Sequence, residues 1–324
     1  MKRRTFLTAS SLMLTTAVPR LGAAADWPER PIRMVIGYPP GGSTDVGGRL
    51  LAEQLSSRLG QQIVVENRPG ASGTIGAASV VRAEPDGYTL LLAASPEVSI
   101  ALSTMSLSYD PRRDLKPVST VGTVPFLLVV NPSVPAKTLA EFIAYARANP
   151  GKLNYSSFGE NTSNHMGGEL FKRIARIEAA HVPYKGSGPS IADVIAGHID
   201  YTLDTPPAVQ EHVKAGKLRA LAVALPPRLP SLPNVPTFAE AGLPDFSGGT
   251  WWGLLAPAKT PDAVVARLNR EVNAILQMPE VRQRYASLGA VVQGSSPEAF
   301  GRYIDAEITK WSELARQMAP AAKR

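Results

Sequence analysis

The heptapeptide Pro39-Pro40-Gly41-Gly42-Ser43-Thr44-Asp45 stands between an apolar run at 32–36 and a repeat of leucines, Leu51, Leu55 and Leu59, that ends on Gly60. The apolar run predicts a strand; leucines four apart predict one face of a helix, and the glycine after them its cap. Glycine, lacking Cβ, lets a ligand come up against the backbone. The free N–H groups of a first helical turn, at the positive end of the helix dipole, favour an anion. Ser43 or Thr44 can cap the helix and also donate to a ligand. An ordinary tight strand-to-helix turn accounts for this segment equally well. Nucleotide loops do not: Gly42 and Gly47 have the interval of a Walker loop, but Gly48-Arg49 replaces its Lys and Ser/Thr, and G-x-G-x-x-G is absent.

Three more Gly/Ser turns occupy equivalent places. Asn67-Arg68-Pro69-Gly70-Ala71-Ser72-Gly73-Thr74 follows a second apolar run and is not a G-x-S-x-G nucleophile elbow. Ser156 to Ser163, with Gly159 inside, precedes a helix bearing Met166, Leu170 and Ile174 on one face. Pro183-Tyr184-Lys185-Gly186-Ser187-Gly188-Pro189 is the fourth. Such junctions in an open α/β sheet line the crevice at the carboxyl ends of the strands, where ligands bind.

Outward from these turns the chain alternates short apolar strands with amphipathic helices, the pattern of an α/β protein. Strands are expected at 32–36, 62–66, 88–93, 126–130, 154–156, 179–183, 201–203 and 218–224. Capping boxes are read at Thr138 with Glu141, Ser190 with Asp193 and Thr237 with Glu240. Thr260-Pro261 and Ser296-Pro297 open two further helices, the last running from about 297 to 318, with a frayed end beyond. Pro206-Pro207, Pro226-Pro227, Pro230, Pro233, Pro236 and Gly248-Gly249 mark loops and crossovers.

Composition narrows the chemistry. The 324 residues contain no cysteine, which excludes disulfides, zinc ribbons, iron–sulfur clusters and a thiol nucleophile. Four histidines, 165, 181, 198 and 212, show no H-E-x-x-H spacing, so no metal is expected. No apolar stretch reaches the roughly 18 residues of a membrane-spanning helix. Residues 1–25 read as an export signal: basic Lys2, Arg3 and Arg4, an apolar run at 6–18, and Ala23-Ala24-Ala25 as the cleavage site. Arg3-Arg4 before Thr5-Phe6-Leu7, the Ser/Thr richness and Arg20 near the cut suit a twin-arginine signal, with a Sec signal as the alternative. Without the four basic residues of that segment, 30 basic and 27 acidic side chains leave a net charge of +3 rather than +7. No Lys/Arg stripe interleaves with aromatics, so nucleic acid is not expected as a partner.

Single polar residues point more to structure than to catalysis. His165, in a first helical turn, is read as a partner of the Gly/Ser loop before it. Asp204, at a strand end, is read as a loop anchor rather than a general base. One of Trp251 and Trp252 is expected to wall a pocket and the other to sit in the core. No Ser/His/Asp set and no carboxylate pair assembles from the sequence.

Pro39–Asp45 continuing to Arg49-Leu50-Leu51-Ala52, Glu66-Asn67-Arg68-Pro69-Gly70-Ala71, Pro85-Asp86-Gly87-Tyr88-Thr89, His181-Val182-Pro183-Tyr184-Lys185-Gly186, Pro236-Thr237-Phe238-Ala239-Glu240-Ala241-Gly242 and Trp251-Trp252-Gly253-Leu254-Leu255-Ala256-Pro257 together resemble the Bug receptors. These are the periplasmic solute-binding proteins of tripartite tricarboxylate transporters, and the match runs in order along the chain after the signal. The resemblance implies a two-lobed, type II-like periplasmic binding protein, with lobe one at 26–124 plus 250–324 and lobe two at 125–249. It places the crossovers near 123–125 and 248–250 and a ligand cleft between the lobes. It implies that a ligand carboxylate meets the 39–45 loop, through ordered waters as well, while the 159–165 loop faces it from lobe two. The candidate contacts are Tyr38, Pro40, Gly41, Gly42, Ser43, Thr44 and Asp45; Gly70, Ala71 and Ser72; Ser95; Ser157, Gly159, Thr162 and His165; Lys185, Gly186 and Ser187; and Asp204. Ser72 stands where the family often has Gly, and Trp252 where Phe is common. The expected protein is a monomeric periplasmic receptor without cofactor that closes on a small carboxylate and delivers it to transporter membrane subunits. A sensor docking on a membrane signalling protein, and an enzyme on the same lobes, are the alternatives.

Overall fold

A computed structural model describes residues 27–225 and 228–318. The export-signal reading, Pro226-Pro227 and the end beyond 318 lie outside the described residues. The chain runs β1 (Ile32–Ile36), α1 (Ser43–Leu59), β2 (Ile63–Asn67), α2 (Thr74–Val81), β3 (Thr89–Ala94), α3 (Ala101–Thr104), α4 (Pro111–Asp114) and β4 (Leu115–Pro125). It continues through β5 (Leu127–Val130), α5 (Leu139–Ala148), β6 (Leu153–Ser157), α6 (Ser163–Ala175), β7 (Ala179–Pro183), α7 (Ser187–Ala196), β8 (Tyr201–Asp204), α8 (Pro206–Lys214) and β9 (Arg219–Val223). It returns as β10 (Gly249–Pro257), α9 (Asp262–Gln277), α10 (Pro279–Ser287), β11 (Val291–Val292) and α11 (Pro297–Met318).

Two mixed sheets result. The first has the order β11-β4-β10-β3-β1-β2 and the second β7-β6-β8-β5-β9. In the first, β1 pairs parallel with β2 and β3, whereas β10 is antiparallel to β3 and β4. In the second, β6 pairs parallel with β7 and β8, and β5 is antiparallel to β8 and β9. Each sheet carries apolar packing on both faces, which explains why its central strands are nearly continuous apolar runs. The chain leaves the first sheet between β4 and β5 and comes back into it at β10. The two passages touch: Gly249 pairs with Pro125, and the Phe126 amide donates to the Gly248 carbonyl at 3.1 Å. A small cluster of Ile100, Met166, Trp311 and Leu314 also joins the halves, with Met166 on α6 and Trp311 and Leu314 on α11.

All eight expected strands form, within one or two residues at their ends. β4, β10 and β11 were not foreseen. β4 carries Pro117 inside its run, a residue that argues against a central strand, and β10 accommodates it with register shifts between Trp252 and Gly253 and between Leu254 and Leu255. The Ser190–Asp193 capping box is corrected. α7 begins at Ser187 with Gly186 as its N-cap, so Ser190 lies inside the helix and donates to Ser156 Oγ at 2.7 Å. Thr237 and Glu240 do form reciprocal bonds, 2.7 and 3.1 Å, but these close a single turn rather than open a helix.

Candidate functional site

A cleft of about 660 Å³ is lined by the turns that leave the carboxyl ends of six strands. From the first sheet come the turns after β1, β2 and β3, and from the second those after β6, β7 and β8.

The turn after β1 is built to keep its amides free. Gly41 has φ +85°, a left-handed conformation that suits glycine, and Gly42 is the extended N-cap of α1 with no side-chain cap. Asp45 does the bracing from inside. Its carboxylate accepts from the Gly41 amide at 2.9 Å, from Asn67 Nδ2 at 2.8 Å and from Arg49 Nε at 3.0 Å. Burial works to raise its pKa, yet the bonds from Arg49, Gly41 and Asn67 hold it below the usual carboxylate value. Trp252 supports the turn from behind: its Nε1 donates to Thr44 Oγ1 at 3.2 Å, and its ring packs so close to Gly47 that a Cβ there would meet it at 2.8 Å. Both Trp251 and Trp252 are therefore core residues, and neither walls this cleft. Trp251 does line a second cavity, of about 610 Å³, while Trp252 lies wholly in the core, so one of the pair walls a pocket as expected, but not this one.

The second turn is strained. Ala71 and Ser72 both take left-handed φ, 46° and 54°. Ser72 thus occupies backbone space that glycine fills at less cost. Its side of the turn faces the cleft, and its carbonyl lies 3.4 Å from the Tyr38 hydroxyl.

Three helix N-termini face these turns. α6 starts after Thr162, which donates to the Gly159 carbonyl at 2.6 Å. α7 starts after Gly186, and α8 after Thr205, with Pro206 in its first turn. With α1, four N-termini open on one cavity; α1, α6 and α7 bring unpaired amides to it, whereas α8 starts with Pro206-Pro207, which have no N–H, and adds only its dipole. Lys185 is the single basic side chain among its lining residues and Glu160 the single acidic one. Tyr38, Phe158, Pro96, Pro207 and Ala208 give the walls their apolar surface.

Of the expected contacts, Tyr38, Gly41, Gly42, Ser43, Thr44, Gly70, Ser72, Gly159, Thr162, Lys185, Gly186 and Ser187 line the cleft. Pro40, Asp45, Ala71, Ser95, Ser157, His165 and Asp204 do not, and most of these support residues that do. Ser95 Oγ lies 3.2 Å from Thr250 Oγ1. Ser157 Oγ bonds the Gly159 carbonyl and His181 Nε2, at 3.0 and 2.7 Å. His165 Nδ1 accepts from the Asn161 amide at 3.1 Å, and its ring stacks on His181 with centroids 4.0 Å apart. Burial lowers both histidine pKa values, that of His181 to about 4, with the facing His165 adding to it. Asp204 anchors Ser187 Oγ at 2.8 Å and the Thr205 amide at 2.6 Å.

Sequence reading missed the α8 terminus and Glu97. Glu97 is fully buried, takes the Tyr38 hydroxyl at 2.6 Å and the Ala94 amide at 2.7 Å, and burial pushes its pKa up to about 7. A signal was present, since Glu97 is the lone charged residue between positions 88 and 109. Among the described residues no group of three or more His, Asp or Glu side chains is placed to hold a metal ion, and no helix is long and apolar enough to cross a membrane.

With this geometry established, three comparisons bear on it. The model of the tripartite tricarboxylate transporter family receptor matches residues 48–319. Protein BugT of Bordetella pertussis is 38% identical over 320 residues, covering 98% of each chain. Two solved Rhodopseudomonas palustris proteins share the architecture. One, solved with adipate, has a TM-score of 0.81 at 37% identity, covering 90% of this chain and 98% of that one. The other, MatC with bound malate, has a TM-score of 0.77 at 33% identity, covering 89% of this chain and 100% of that one.

Proposed function

Because this chain belongs to the tripartite tricarboxylate transporter receptor family, we propose that it is a periplasmic receptor that captures a small carboxylate in the cleft between two closing lobes and hands it to transporter membrane subunits. The observation that carries this reading is the convergence of four helix N-termini, α1 from one sheet and α6, α7 and α8 from the other, on one cavity. Lobe one comprises residues 26–124 with 250–324, and lobe two 125–249. The sheet memberships and the paired passages at Phe126 and Gly248 support that division.

The cargo anion meets backbone amides of Gly42, Ser43 and Thr44 on one side and the turns at Gly159 and Gly186 on the other. Each helix terminus contributes roughly 0.3–1 kcal/mol, while micromolar affinity needs about 8 kcal/mol. Charge-assisted hydrogen bonds, bridging waters and lobe closure supply the difference. Lys185 gives the second wall a point charge for a further anionic group. The apolar surface of Tyr38, Phe158, Pro96 and Ala208 suits an aliphatic spacer, and adipate, the molecule in one of the similar structures, has that form.

The test is a calorimetric and thermal-shift screen of adipate, malate, citrate and aromatic mono- and diacids. One-to-one binding of a carboxylate, with the ligand recovered unchanged, is expected. Silence across the whole panel would sink the proposal.

A further inference from the structure

Two carboxyl groups lie directly behind the cleft walls, and neither has a cation beside it. On the first wall, the Glu97 carboxyl touches Tyr38, and it presses so closely on Gly73 that a Cβ there would come within 2.8 Å of Oε2. Tyr38 and Gly73 both line the cleft, so Glu97 is one residue deep. On the facing wall, Asp204 is equally buried and sits one hydrogen bond behind Ser187 and Thr205, which also line the cleft.

The surroundings of both acids are nearly free of charge. Around Glu97, α2, α3, β3 and the 71–73 turn carry no titratable side chain. Tyr109 donates to the Glu97 carbonyl at 2.6 Å. α11 reaches this region through Trp311 and Leu314 on Ile100, and its Glu307 and Lys310 pair with each other. Around Asp204, β5 carries no titratable group and β6 only Tyr155. On α7, Asp193 is engaged by Tyr184 and His198, while Glu211, His212 and Lys214 stand in the last turns of α8 and Lys185 in the turn before α7.

We propose that the cleft takes up a proton together with its anion, and that Glu97, backed by Asp204 on the opposite wall, is where this proton is held. An ionised carboxylate buried without a cation is costly, and a second negative charge arriving at the amides in front of it raises that cost. By linkage the anion then binds most tightly to the protonated form. The proton comes from solvent and adds to a carboxyl oxygen, and no bond of protein or cargo breaks. Tyr38 relays the change to the wall. Its hydroxyl donates to ionised Glu97; once Glu97 Oε2 carries the proton and donates instead, the Tyr38 hydrogen is free to turn to the Ser72 carbonyl. Burial holds Glu97 near 7 and Asp204 near 6, so both exchange protons close to neutrality.

The inference rests on the carboxylate-receptor reading, and adipate is the probe. Calorimetry in two buffers of different ionisation enthalpy, at about pH 7 and about pH 8 where an aliphatic carboxylate is fully ionised, counts the protons. The expected result is uptake of about half a proton at pH 7, with affinity about threefold weaker at pH 8. Glu97→Gln, which imitates the protonated acid, should take up little and bind equally at both pH values. Asp204→Asn is the second variant and should remove the smaller remaining uptake. Adipate binding whose heat is independent of buffer overturns the inference alone, as does wild-type uptake in Glu97→Gln. Failure of adipate to bind wild-type protein at either pH overturns the receptor reading with it.

Discussion

Gly42 shows how much one side chain decides. Its φ of −72° suits any residue, and a Cβ there would meet nothing nearer than the Pro39 carbonyl at 3.7 Å. Gly42→Leu therefore fits the backbone and fills the cleft instead. Calorimetry should show carboxylate binding weakened by about 100-fold or more, with stability in denaturant melts changed by less than about 0.5 kcal/mol. Ser72 is the converse case. At φ 54° it pays steric strain that glycine avoids, so Ser72→Gly should raise stability by up to about 1 kcal/mol in urea unfolding. The sequence offered Ser72 only as a departure from a resembled pattern, whereas its backbone angle gives the reason that glycine suits the position. Asp45 was legible as part of the heptapeptide but not in its role, because its bond from Asn67 depends on α1 and β2 lying side by side.

Among the elements, local chemistry predicted starts well where one bond suffices. Thr138 Oγ1 accepts from the Glu141 amide at 3.2 Å, and Thr138→Ala should cost about 1 kcal/mol of stability in denaturant melts. The same motif at Ser190 misleads, since Gly186 caps α7 a turn earlier and Ser190 is drawn inward to Ser156. β1, β3 and β5 were readable from their apolar runs. The interior strands β4 and β10 were not, because Pro117 and Gly122 interrupt the one and Gly249 and Gly253 the other, residues that weigh against a strand locally.

For the whole molecule, ligand and pH report on the two halves together. A carboxylate at about 100 times its dissociation constant should add roughly 2.7 kcal/mol of stability, read as a rise in melting temperature. In the ligand-free chain, Glu97 and Asp204 have raised pKa values. Their stabilising protonation is complete below the ordinary carboxyl values and is lost as pH rises through about 6 and about 7. His181, lowered to about 4, acts oppositely: its contribution is present above its ordinary 6.5 and lost as pH falls through about 4. Over the range from about pH 5 to about pH 8 the two acids outweigh this histidine, so the melting temperature should be lower at pH 8 than at pH 5, and Glu97→Gln should shrink that difference. A melting profile that rises steadily to pH 8 would contradict these assignments.

The amino-acid order alone determined the α/β alternation, the glycine turns after the strands and the absence of thiol chemistry, because each follows from residues within a few positions of one another. Only the folded chain decided that turns more than a hundred residues apart line one cavity, that Asp45, His165 and Asp204 stand behind it, and that Glu97 is buried without a cation. Those relations arise from strands of two sheets ending at the same place, and local propensity contains no information about such distances.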